Sequence, residues 1–142
     1  MKKVFFDANI VVDILAERQP WFPIEMEIIS LSQQGQYSLY CSLLSLGTAF
    51  YLLEKEKVPL EVVKNKVGIF TSFCPPIESF EGVLTSSLQS SFSDLEDAMQ
   101  YYSALSENCD TIITRNKKDF AQSTIQVLEP QEFLDMINTV LK

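Results

Sequence analysis

Short apolar runs alternate along the chain with longer segments in which apolar positions recur every three to four residues. Lys3 to Phe6 reads as a strand ending on Asp7, and Asn9 and a helix follow directly. PIEMEIISLSQQG places Pro23 in a first helical turn and ends at Gly35, a helix stop. YSLYC is a second strand, and Ser42 starts a helix through about Lys55. Pro59 opens another helix to about Phe70, with Leu60, Val63, Val67 and Phe70 at core spacing. Phe73 to Ile77 predicts a short strand interrupted by Pro75 and Pro76, and helices follow from Ser79 and from Ser93. The strand TIIT and a last strand near Ile125 to Leu128 lead through Pro130 into a C-terminal helix. Its Phe133, Leu134, Ile137 and Leu141 are expected to face inward. Strands separated by helices predict an α/β fold with a parallel sheet and right-handed crossovers. Without repeats, low-complexity tracts or linkers, residues 1–142 are expected to form a single domain.

Carboxylates gather at the ends of these elements. Asp94, Glu96 and Asp97 fall in the first turn of the helix from Ser93, where free N–H groups and the helix dipole favour negative charge. Capping by Ser93 or Asp94 needs one acid, and the segment offers three. TIIT then runs into Arg115, Asn116, Lys117, Lys118 and Asp119. Ligands of open α/β sheets gather at the carboxyl ends of strands, which places Asp119 near that mouth and Asp7 at another strand end. Two such strand ends suggest one acidic pocket, a place for a hard divalent cation.

Composition narrows the chemistry. The 142 residues contain 46% hydrophobic residues and only 4 glycines, enough for a real core and unlike a disordered chain. No apolar run approaches a membrane span, and MKKVFFDANI breaks at Asp7 without a signal-peptide cleavage site. Cys41, Cys74 and Cys109 are odd in number and scattered, which points to buried thiols in a reducing cytoplasm. The absence of histidine excludes the usual zinc sites, histidine general bases and serine-hydrolase triads, so hydrolysis would run on carboxylates and metal. A net charge of −8 runs against a nucleic-acid enzyme, although cations bound at the acidic site would offset part of it. Arg115, Lys117 and Lys118 cluster beside Asp119 and read either as a grip for a phosphate backbone or as a solvated turn. Asp13 reads as a solvated helix position and Asp110 as a turn residue. Trp21 and Phe22 read as a loop that folds over the core or offers aromatic faces to bases or a partner.

DANIVVDIL, CSLLSLGTAFYLL, DLEDAMQYYSAL and TIITRNKKDF together resemble the PIN domain over nearly the whole chain. The resemblance implies a Rossmann-like three-layer α/β/α sandwich with a central parallel sheet and a metal-dependent ribonuclease. It further implies Mg²⁺ or Mn²⁺ as cofactor and, as in VapC-type toxins, an antitoxin protein as partner and a homodimer. By the same resemblance Asp7 and Asp97 are metal ligands and Asp94 matches a neighbouring acid, read as a further ligand. Asp119, three residues beyond Asn116, is read from its own position as an additional catalytic acid. Thr48 stands where the family often has a Glu, and Asn116 where it commonly has its fourth acid. With Asn9 and Thr114 these two would orient water and ligands around the metal, while Arg115, Lys117 and Lys118 would contact RNA. The alternatives are a PIN scaffold that binds RNA or protein without cleaving, and a phosphatase using Asp7 as nucleophile. The latter would want a strand-end Lys where Thr114 stands.

Overall fold

The computed structural model describes residues 2–78 and 81–141, excluding the side chains of 140 and 141. Its centre is a five-stranded, all-parallel sheet in the order β3-β2-β1-β4-β5. The strands are β1 (Lys2–Phe6), β2 (Tyr37–Ser42), β3 (Pro76–Ile77), β4 (Thr111–Ile113) and β5 (Gln126–Leu128). Because successive strand residues face opposite ways, Val4 and Phe6 enter one core and Phe5 the other. The first core lies under α1 (Ala8–Leu15), α2 (Phe22–Ser32), α3 (Leu43–Lys55), α4 (Leu60–Phe73) and α7 (Pro130–Leu141). The second lies under α6 (Leu95–Ser106), through Tyr101 and Ala104 against Phe5 and Ile112, and α5 (Val83–Gln89) packs on α6. The result is the expected three-layer α/β/α sandwich. No helix among the described residues is long and apolar enough to cross a membrane.

Several boundaries differ from the sequence reading. The helix predicted to end near Phe70 continues to Phe73, because no breaker precedes Pro75 and the Cys74 amide still bonds to the Phe70 carbonyl at 2.9 Å. The strand predicted from Phe73 shrinks to Pro76–Ile77 at the sheet edge, where proline is tolerated. Leu60, expected in the core, is 65% exposed, since it lines an open groove with Phe50, Val63 and Val67 between α3 and α4. Ser79 lies outside the described residues, as does the Leu141 side chain. α5 begins only at Val83, after Gly82 takes a left-handed φ of 77°. The three cysteines are free and buried, in line with their reading.

From β1 the chain moves to β2 and β3 on one side, and only later crosses to β4 and β5 on the other. The strand order therefore reverses between β1 and β4, and the crevice at their carboxyl ends is the natural ligand site of such a sheet. Asp7 follows β1 and Thr114 follows β4.

Candidate metal centre

Asp7 caps α1 and is only 5% exposed. Its Oδ1 accepts the Ala8 amide at 2.8 Å, and its Oδ2 accepts the Thr114 hydroxyl at 2.8 Å and Asn9 Nδ2 at 3.2 Å. The surrounding turn is tied into the same net. Asn9 Nδ2 reaches Thr114 Oγ1 at 3.3 Å, the Arg115 amide donates to Asn9 Oδ1 at 3.4 Å, and the Asn116 amide donates to Thr114 Oγ1 at 3.1 Å. Every donor to Asp7 in this net is neutral. Burial pushes its pKa up to about 6, opposed by the Thr114 and Ala8 hydrogen bonds and reinforced by Asp119 and Glu96.

The N-terminus of α6 faces this corner. Asp94 is its cap, accepting the Asp97 amide at 3.0 Å, so the capping reading of one acid holds while two more remain in the first turn. Half-buried Asp97 is pushed up to about 7, first by burial and then by Asp94, Asp119, Asp7 and Glu96. Asp119, exposed on a 3-10 turn spanning Lys117–Phe120, thus acts electrostatically on both Asp7 and Asp97. Asp119 and Glu96 raise Asp7, and Asp94, Asp119, Asp7 and Glu96 raise Asp97, as like charges do only when close in space.

This donor set fits a hard divalent cation, being carboxylate oxygen in a chain without histidine. Among the described residues, however, no three carboxylates or other ligating side chains converge into a ready cage. Such a corner suits an ion that keeps much of its water, as Mg²⁺ does.

The other expected polar residues sort differently. Thr48 gives its hydroxyl to the carbonyl of Leu44 at 3.2 Å, inside its own helix. Asn116 is exposed and opens the 3-10 turn, joining the Asp7 net through its backbone amide. A network that sequence reasoning missed stands at the end of β2. Buried Gln100 accepts from the hydroxyls of Ser42 at 2.9 Å and Ser45 at 3.2 Å, and its Nε2 finds no partner among the described residues. The available signal was a glutamine one turn beyond Asp97 on the buried face of α6.

The basic cluster is the main correction. The Arg115 guanidinium turns inward to Asp13, with Nε to Oδ2 at 2.7 Å and Nη2 to Oδ1 at 3.1 Å, and lies 3.9 Å from the centre of the Trp21 ring. It is therefore not free to grip a phosphate. Asp13, expected in solvent, is fully buried because α1 is covered on almost every side. Lys117 pairs with Glu132 at 3.0 Å, and Lys118 makes no ion pair among the described residues. Trp21 is half-buried against Arg115 and Phe22 packs on the core, as the loop reading allowed. Asp110 holds the turn before β4, accepting the Lys3 amide at 2.8 Å.

Comparison with known proteins agrees with this fold. The profile of the PIN domain matches residues 3–118. The chain is 32% identical over 148 aligned residues to Ribonuclease VapC1 of Aquifex aeolicus (strain VF5), covering 98% of each. The fold matches VapBC2 from Rickettsia felis, bound to a DNA fragment from its promoter, with a TM-score of 0.63 and 22% identity over 89% of this chain and 97% of that one. It also matches VapBC-1 from nontypeable Haemophilus influenzae, with a TM-score of 0.64 and 17% identity over 91% of this chain and 98% of that one. With its acids at the switch point of a parallel sheet and most of its length inside the family profile, the chain belongs to the PIN-domain family.

Proposed function

We propose that this chain is a Mg²⁺- or Mn²⁺-dependent endoribonuclease, the toxin of a toxin–antitoxin pair, acting in the cytoplasm as a homodimer. The observation that carries the reading is the group of Asp7, Asp97, Asp94 and Asp119 around the β1/β4 switch point, where like charges raise Asp7 and Asp97 and no cation pairs with Asp7 among the described residues. Asp7 and Asp97 would hold the ion, with Asp94 or Asp119 completing its surroundings. A bound divalent ion lowers the pKa of its water and neutralises charge on the scissile phosphate. Thr114 and Asn9 fix the Asp7 oxygens, Asn116 braces Thr114, and Lys118 is the base of its turn left to meet an RNA backbone. Likeness to Ribonuclease VapC1 supports RNA as substrate, and likeness to the VapBC structures supports an antitoxin partner. Exposed Leu84 and Leu88, one turn apart on α5, support a self-association face.

The test is incubation of the chain with single-stranded and structured RNAs in Mg²⁺, in Mn²⁺ and in chelator. Products that need metal and vanish in Asp97→Asn support the enzyme. A second reading rests on Thr48, whose hydroxyl is spent on its own helix, and on uncharged Asn116: a PIN scaffold that binds without cleaving. RNA binding without products would replace the first reading with the second.

A further inference from the structure

Beneath the loop that closes the metal corner lies a buried group of charges that the proposed chemistry does not use. Asp13 from α1 and Glu25 from α2 are both fully buried, and a single guanidinium, Arg115, reaches Asp13 from the turn after β4. Both Asp13 oxygens accept from Arg115. Neither oxygen of Glu25 receives a hydrogen bond among the described residues, although Asp13 and Arg115 are the charged groups that act on it. Two buried carboxylates against one cation would leave an uncompensated charge, and an ionised Glu25 would lack any donor. A protonated Glu25 resolves both problems, because its O–H donates to Asp13 and the group becomes neutral. Burial and the neighbouring Asp13 carboxylate act in that direction, pushing the Glu25 pKa up to about 10.

We propose that Glu25 is a positioning residue: it shares a proton with Asp13, and the pair holds Arg115 so that the turn from Thr114 to Asp119 stays seated on α1. The chain of contacts is short. Arg115 is clamped through its side chain and stacked on Trp21, its backbone amide donates to Asn9, and Asn9 donates to the Asp7 carboxylate. Asp119 rides on the same turn. This role deepens the nuclease reading and rests on it.

Trp21 is the only tryptophan of the chain, so its emission reports the clamp without any assay of activity. The full-length protein is compared with Glu25→Gln, which keeps a donor toward Asp13, and Glu25→Leu, which removes it. At pH 7.5, Glu25→Gln is expected to keep the wild-type emission and cleave RNA within about twofold, whereas Glu25→Leu shifts the emission and lowers kcat about tenfold with KM unchanged. Between pH 8 and 11 the wild-type emission should change near pH 10 and diverge from Glu25→Gln, which carries the same tyrosines. A shifted emission or a tenfold loss in Glu25→Gln at pH 7.5 would overturn the proposal, as would identical titrations of the two proteins. Should Glu25→Leu fail to fold, the Glu25→Gln titration still decides. If the wild type cleaves no RNA, the nuclease reading fails, while Trp21 emission continues to report the shared proton.

Discussion

Asp7 and Asp13 stand at the two ends of α1, both buried, and the protein compensates them in opposite ways. Asp13 has a resident cation, with the Arg115 fork on both oxygens. Among the described residues Asp7 has only the neutral donors Ala8, Asn9 and Thr114, and it feels Asp119 and Glu96 as like charges. A buried carboxylate with a built-in partner is part of the scaffold. One that is hydrogen-bonded but left electrically uncompensated calls for positive charge from outside. Two aspartates on one helix therefore stand in opposite electrostatic settings, for reasons visible in their surroundings.

Substitution should separate them. Asp7→Asn and Asp97→Asn are each expected to lower metal-dependent RNA cleavage by more than about 100-fold, above the range for residues that only support a metal ligand. In chelator Asp7→Asn should unfold in urea at the wild-type midpoint or higher, because it removes a charge that no ion pair among the described residues neutralises. Asp13→Asn should do the reverse in stability, losing about 3 kcal/mol as Arg115 is left without its partner. Urea midpoints that fell equally for Asp7→Asn and Asp13→Asn would erase the distinction.

The response to pH sharpens the same contrast. Asp7 and Asp97 titrate near 6 and 7 in the folded protein, above the ordinary aspartate value of 3.8. Between about pH 4 and 7 the folded state therefore binds more protons than the unfolded chain, so stability in chelator declines as pH rises through that window. Glu25 adds a slope of the same sign that continues to higher pH. Thermal melts in chelator should show Tm falling from pH 4.5 to 8, less steeply in Asp7→Asn, and Mg²⁺ should restore Tm most at the upper end. A wild-type Tm that rose over this range would contradict the electrostatics of the corner.

The parts of the molecule that obey local rules were legible in the sequence. The strand ending on Asp7, the cap at the start of α6 and the alternation that sends Phe5 and Phe6 to opposite cores follow from period and capping chemistry. The fate of each charge was not. Whether Arg115 meets RNA or Asp13 depends on α1, α2 and the β4 turn meeting in space, and nothing in TRNKKDF announces a partner about a hundred positions earlier. Gln100 was hidden for the same reason, since its partners Ser42 and Ser45 belong to β2 and α3. Glu25 carries no local signal of its burial, which depends on α1, α7 and β2 packing around α2. Leu60 erred the other way, because helical spacing cannot show that a groove stays open.

The smallest effects concern Asp94, which sits between the two kinds of acid. Its carboxylate satisfies the Asp97 amide as a helix cap and also adds to the field that raises Asp97. Asparagine retains a cap acceptor and removes the charge, while alanine removes both, at a cost of about 1 kcal/mol in stability. If Asp94 contributes to the metal corner, Asp94→Asn and Asp94→Ala should slow cleavage by the same few-fold, and only alanine should lower the urea midpoint. Wild-type cleavage by Asp94→Asn would make the residue a cap alone. The corner would then reduce to Asp7 and Asp97 with Asp119 as its third acid, and Asp119→Asn would become the variant on which the remaining charge depends.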